Sequence, residues 1–298
     1  MDARIREIVS GFSFLEGPRW HDDRLWLSDF YMHRVMSIDA DGRVTTVAEV
    51  PGQPSGLGWL PDGRLLVSSM RDRRVLRLET DGRLVEHADL SSIATGHIND
   101  MVVGEDGTAW VGNFGFDLMG GAPIAPARLA SVTLDGTVRV AAEGLHFPNG
   151  SMITPDGKTL IVCESTGNRI SAFDIVGPGQ LGPRRDWAVF GPLPQSTDAT
   201  TVVQQAVVTP DGAVLDAEGA VWCADVTHHR VLRVAEGGHI LQEISTGDMG
   251  VFACTLGGAD RRTLYLCVAP DSSEHSRSPS REAALWAVQV EVPGAGRP

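Results

Sequence analysis

Hydrophobic and polar positions alternate along this chain in short runs separated by tight polar turns. The runs at 25–28, 65–68, 109–112, 160–163, 221–224 and 264–267 are rich in Leu, Val, Ile and Trp, and most follow an acid-Gly turn. Most then pass through a second polar turn into an alternating segment, as at 34–38, 74–78, 169–173 and 230–234. Further turns, Asp41-Gly42, Asp81-Gly82 and Asp135-Gly136, often precede a last strand such as 44–47. Period-two alternation bounded by Gly turns predicts antiparallel hairpins. No segment longer than a turn or two carries a convincing 3.6-residue period, so the expected fold class is all-β.

The hairpins recur in register. A distinctive residue stands seven positions before a strand-turn position: Glu16 before Asp23, Ser55 before Asp62, Asn99 before Asp106, Asn149 before Asp156, Asp211 before Glu218 and Ala253 before Asp260. The leading positions 16, 55, 99, 149, 211 and 253 are spaced by 39, 44, 50, 62 and 42 residues. Four antiparallel strands in repeats of roughly 40 residues is the pattern of propeller blades. The prediction is a six-bladed β-propeller forming a single domain over residues 1–298. The final strand, around 285–290, is expected to share a blade with the strand near 5–9 and so remove exposed edges. Three segments exceed the blade minimum. Residues 112–128 and 191–209 read either as pocket walls or as tolerated insertions, 271–281 reads as a mobile polar loop, and residues after Pro293 as a frayed tail.

Composition narrows the partners. A hydrophobic fraction of 42% supports a substantial core, and a formal net charge of −13 disfavours nucleic acid and anionic membranes. No apolar run reaches the roughly 18 residues of a membrane span. The charged stretch from Met1 to Glu7 lacks the apolar core of a secretory signal, so a cytoplasmic protein, monomeric or weakly homo-oligomeric, is expected. Cys163, Cys223, Cys254 and Cys267 each lie in an apolar run without C-x-x-C spacing, which predicts buried free thiols.

In a propeller the first strand of each blade lines the central channel, so the six leading residues should surround one mouth. The acids at 23, 62, 106, 156 and 218 recur where only turn chemistry is needed. The leading residues instead change identity within a constant frame. Glu16, Asn149 and Asp211 would converge, and two carboxylates facing each other in a semi-enclosed channel need compensation. Oxygen donors without Cys or His suit one divalent metal ion, Ca²⁺ first, then Mg²⁺ or Mn²⁺, with Zn²⁺ or Fe²⁺ also compatible with an open site. Asp29, Ser69, Asn113, Glu164 and Asp225 form a second ring at the ends of the second strands, read as turn caps ahead of groups that orient ligands. His228 and His229, adjacent and taken as strand residues, would point to opposite faces and are assigned structural or rim roles.

The segments Leu15-Glu16-Gly17-Pro18-Arg19-Trp20, Asn99-Asp100, Pro148-Asn149-Gly150 and Pro210-Asp211-Gly212 resemble the motifs of the senescence-marker-protein/gluconolactonase/luciferin-regenerating-enzyme family. The resemblance runs from about Glu16 to Val290. It implies a metal held by Glu16, Asn149 and Asp211, and a substrate-contacting Asn at Asn99. The animal branch places an Arg where His97 stands, and a loop Glu whose nearest counterpart is Asp117; both departures bear on substrate identity. The implied reaction is metal-dependent hydrolysis of a lactone, often a sugar lactone, a small-molecule substrate. Asp211 is the expected ligand and base, with Asp100 as rival base; Asn99 and His97 would orient the ring, and Asp117 would meet a substrate hydroxyl. A phosphotriesterase using the same metal and a non-catalytic interaction propeller are the alternatives.

Overall fold

The computed structural model describes residues 4–296. Met1, Asp2 and Ala3 of the N-terminal stretch, and residues 297–298, lie outside that range. The described chain folds into six antiparallel sheets, a six-bladed β-propeller. Blade one, for example, runs through Leu15–His21, Arg24–Asp29, Arg34–Ile38 and Val44–Glu49 in sequence order. Blade six comprises Gly250–Gly257, Thr263–Ala269 and Ala283–Gln289, and Arg6–Phe12 supplies its outermost strand. The expected closure is therefore present. Among the described residues no helix is long and apolar enough to cross a membrane.

Blade four departs from the four-strand unit. Its third strand, Arg169–Gly177, pairs with the short Gln180–Leu181 and again with Arg185–Val189, which absorbs part of the long spacing between positions 149 and 211. The rest is spent on residues 190–209, which contain the helix Ala199–Gln205. Asp198 caps that helix by accepting from Thr201 N at 2.8 Å. Its seven residues are too few for a periodic signal in the sequence.

The turn acids are as expected in most blades. Asp62, Asp106, Asp156 and Asp260 each accept the N–H two residues on, at 2.9–3.1 Å. Blade five is a correction. Asp216 takes that role, accepting from Glu218 N at 2.9 Å and Ala220 N at 3.0 Å, and the Glu218 side chain pairs with Arg233 outside the turn. In blade one, which lacks Gly at this turn, Asp22 and Asp23 themselves adopt φ of 49° and 55°.

Two further expectations give way to packing. Pro293 O accepts from Ala217 N at 2.8 Å, and Gly294 N and Ala295 N donate to Arg261 O and Leu215 O, so the tail is seated as far as it is described. The polar 271–281 segment is likewise anchored. It contains the helical turn Glu274–Arg277, whose buried Arg277 pairs with Asp271 at 3.3 Å and Glu282 at 2.9 Å. All four cysteines are free and buried, as expected, and burial pushes their thiol pKa values up.

Candidate active site

The six leading residues sit on the inner strands, and in four of the six blades the residue that follows is Gly, which lets those strands approach closely. A Cβ on Gly17 or Gly150 would collide with the backbone carbonyl oxygen of Ser55 or Asp211 on the next blade, and Gly17 also has a φ of +55°. Only Gly fits at these positions. Blade three carries Asp100 instead. Its side chain is buried beneath the ring, with Oδ1 accepting from Arg19 Nη2 at 2.7 Å. The same guanidinium donates to Met101 O at 2.7 Å and Pro18 O at 2.9 Å, so Arg19, itself buried, ties blade one to blade three.

Glu16, Ser55, Asn99, Asn149 and Asp211 line one cavity of about 340 Å³. Asn149 is oriented by Ser165, whose Oγ accepts from Asn149 Nδ2 at 3.1 Å and donates to Pro210 O at 2.9 Å. Tying down the amide NH₂ leaves Asn149 Oδ1 as the free acceptor. Asn99 keeps both amide atoms buried without a partner, as do Asp211 Oδ1 and Asp100 Oδ2. A Cβ at Gly112 would lie 2.8 Å from Asn99 Oδ1, so this amide occupies space that only Gly leaves open.

The electrostatics of the ring are unbalanced. Burial, reinforced by Asp100, raises the Asp211 carboxyl to about 8, partly opposed by Gly212 N–H and Asn149. Burial, then Asp211 and Asp100, raises Glu16 well above the usual carboxylate range. Burial raises Asp100 too, against the pull of Arg19. Ionised together, three carboxylates facing one guanidinium would leave two negative charges uncompensated, and several ring oxygens have no hydrogen-bond donor. A divalent cation supplies the missing charge and takes oxygen donors of this kind. The residues present therefore fit such an ion, and Glu16, Asn149 and Asp211 are the ones that could hold it. Among the described residues no group of three or more His, Cys, Asp and Glu is gathered as a metal site.

Other predicted residues fall elsewhere. Asp100 does not line the cavity, and neither do His97 and Asp117. His97 packs on Phe114 with ring centroids 5.7 Å apart, and burial followed by Arg71 lowers its pKa. Asp117 is exposed and accepts from Gly120 N at 2.9 Å within its own turn. Four of the five second-ring residues act as caps, whereas the buried Ser69 hydroxyl has no partner. Asp29, Glu164 and Asp225 accept the backbone N–H of Ser13, His146 and Thr209, fixing the approach to the inner strand, and Asn113 accepts from Gly115 N. His228 and His229 are not on a strand: they end a 3₁₀ turn, with His228 Nδ1 3.0 Å from Asp225 Oδ2 and His229 at a φ of 49°.

The sequence reading did not single out Arg19, Ser165 or the aromatic walls. A signal for the walls was present, since Phe14 and Phe147 each stand two residues before a leading position. The segments 112–128 and 191–209 do form pocket walls. They meet through Ile124 N to Thr197 O at 2.8 Å, and Phe114, Phe116, Leu118, Val202 and Val203 face the cavity.

The class these features define is a propeller with an acidic, amide-bearing floor in a closed-walled channel mouth. The chain belongs to the SMP-30/gluconolactonase/LRE-like family, whose model matches residues 14–270. It is 26% identical to the 6-deoxy-6-sulfogluconolactonase of Pseudomonas putida over 313 aligned positions, covering 100% of this chain and 99% of the relative. It is 28% identical to pentonolactonase XacC of Haloferax volcanii, covering 77% of this chain and 79% of that one. The calcium-binding protein regucalcin from Agrobacterium tumefaciens shares the fold, with a TM-score of 0.78 at 21% identity, over 99% of this chain and 97% of that one.

Proposed function

We propose that this chain hydrolyses the ester bond of a lactone, using a divalent cation held by Glu16, Asn149 and Asp211. The observation that carries this reading is the ring of carboxyls short of partners at the floor of an open cavity in the channel mouth. Family membership and the sugar lactonases among its relatives support the reaction class, and the calcium-binding neighbour supports Ca²⁺ as the first ion to try. When bound, the cation supplies Lewis acidity to the lactone carbonyl.

The chain's own groups divide the remaining work. Asp211 lines the cavity and has an unpartnered oxygen, which suits it to accept a proton from attacking water. Asn99 can donate its free amide NH₂ to an ester oxygen of the substrate and fix its orientation, while its free carbonyl oxygen can accept from a water or a substrate hydroxyl. Asp100 is the rival base only through Oδ2, because Oδ1 is engaged by Arg19. His97 and Asp117, outside the cavity lining, take rim positions if they contact substrate at all. In the balanced step, water oxygen bonds to the carbonyl carbon and its proton passes to the carboxylate. The ring C–O bond breaks, and the departing oxygen takes up that proton to give a hydroxy acid.

The test is a panel of lactones and a phosphotriester, followed by proton release, with and without added Ca²⁺, Mg²⁺ or Mn²⁺. Cation-dependent opening of a lactone supports the reading. Turnover of the phosphotriester alone moves the activity to phosphoester chemistry, and no turnover of either favours the non-catalytic platform.

A further inference from the structure

Six of the nine phenylalanines and one of the two tyrosines of the chain line this single cavity. Phe14 meets Phe252 at 4.6 Å and Phe30 at 5.4 Å between ring centroids, and Phe114 meets Phe147 at 4.6 Å. Ordinary core aromatics close up to crystal-like density. These leave about 340 Å³ open above the ring. An apolar wall left facing water rather than a ligand forgoes the burial and packing that a core would give it. Phe147 adds a second cost. It holds a φ of 57°, the left-handed region that bulky side chains avoid, while its ring lines the cavity two residues before Asn149.

Part of the polar content of the walls is committed, while Thr166 Oγ1, also in the lining, is buried without a partner. The Ser165 hydroxyl is spent on Pro210 O and Asn149, and that of Thr209 on Thr227 Oγ1 at 2.6 Å. Among the described residues no Lys, Arg or His lines the cavity. A substrate bearing a carboxylate, sulfonate or phosphate would find no cation on these walls, and a polyhydroxylated ring would bury hydroxyls against phenyl faces.

We propose that the preferred substrate is a lactone carrying an apolar alkyl or aryl substituent, with its ester on the polar floor and the substituent among Phe14, Phe114, Phe147, Phe252 and Val202. This rests on the lactone-hydrolase reading above and narrows it to a substrate class. Water opens the ring as described there, so the product is a hydroxy acid with the same apolar substituent.

The test compares kcat/KM for γ- and δ-lactones with unbranched side chains of increasing length, an aryl-fused lactone and a polyhydroxylated six-membered sugar lactone. The expected result is a rise of about fourfold per methylene until the cavity is filled, from the transfer free energy of a CH₂ group, with the alkyl and aryl lactones well above the sugar lactone. Val202→Ser should flatten that series, and if the variant does not fold, the wild-type series alone decides. Preference for the sugar lactone, or no dependence on chain length, overturns the proposal. Calorimetric binding of the matching alkyl lactams separates the two claims. If no lactone is opened but lactam affinity rises per methylene, the apolar class stands and the hydrolase reading falls; no opening and no such rise removes both.

Discussion

With Oδ1 unpartnered and Asp100 adding to the effect of burial, Asp211 keeps its proton up to a pH of about 8 in the metal-free chain. Asp211→Asn removes a charge that this site holds at a cost. At pH 9 the metal-free variant should therefore melt at the same temperature as the wild type or higher, while lactone kcat/KM falls by roughly a hundredfold or more if Asp211 is the base. A variant that melts lower and keeps its activity would remove Asp211 from the centre of the site. Arg19 behaves in the opposite sense. Arg19→Met strands Asp100 as a buried, unpaired carboxylate and should cost about 3–5 kcal/mol in urea unfolding. Adding Asp100→Asn should recover a large part of that loss, and a double variant no more stable than Arg19→Met would show that the guanidinium acts through its backbone contacts instead.

At the scale of elements, the inner strands decide how tightly the ring is drawn together. Gly150→Ala places a methyl group against the Asp211 backbone carbonyl, which has no flexible end to swing away. The substitution should lower stability by about 1–3 kcal/mol, as overpacking does, and weaken cation affinity, because the strand carrying Asp211 must shift. Unchanged cation affinity measured calorimetrically would contradict this coupling. The helix Ala199–Gln205 is held differently, by its Asp198 cap and by Val202 against the cavity. Asp198→Ala should cost that helix about 1 kcal/mol, seen as faster amide exchange at Thr201 and neighbouring residues. Exchange unchanged by the substitution would mean that the cavity wall alone holds the helix.

At the scale of the molecule, the propeller was legible because a repeat writes the same frame six times, and the closure by Arg6–Phe12 followed from the need to cover an edge. The identities of Glu16, Asn149 and Asp211 stood out because the frame around them is constant, and the structure brings all three to one cavity. What stayed hidden depended on contacts between distant segments. Arg19 and Asp100 lie 81 positions apart, the roof joins two insertions that share no repeat, and the seated tail rests on carbonyls of blades five and six. The raised carboxyl pKa values also set a whole-molecule pH response. From about pH 4 to 8 these buried carboxyls hold more protons in the folded metal-free chain than in the unfolded one, so their contribution to stability falls as pH rises, while His21, His87, His97 and His146, with pKa lowered by burial, contribute in the opposite sense. A bound cation holds the carboxylates deprotonated, so the stabilisation it confers should grow with pH. Thermal melts of the stripped wild type and of Asp211→Asn at pH 5 and pH 8 check the sign: the variant should gain on the wild type at pH 8, and an unchanged or reversed difference would contradict it. The central claim is that the Glu16–Asn149–Asp211 ring holds one divalent cation on which lactone opening depends. Its most direct test is to titrate Ca²⁺ or Mn²⁺ into metal-stripped protein while following proton release from a lactone. Activity that is absent at the start and saturates at one equivalent of bound cation is the predicted result; full activity in protein confirmed metal-free would contradict it.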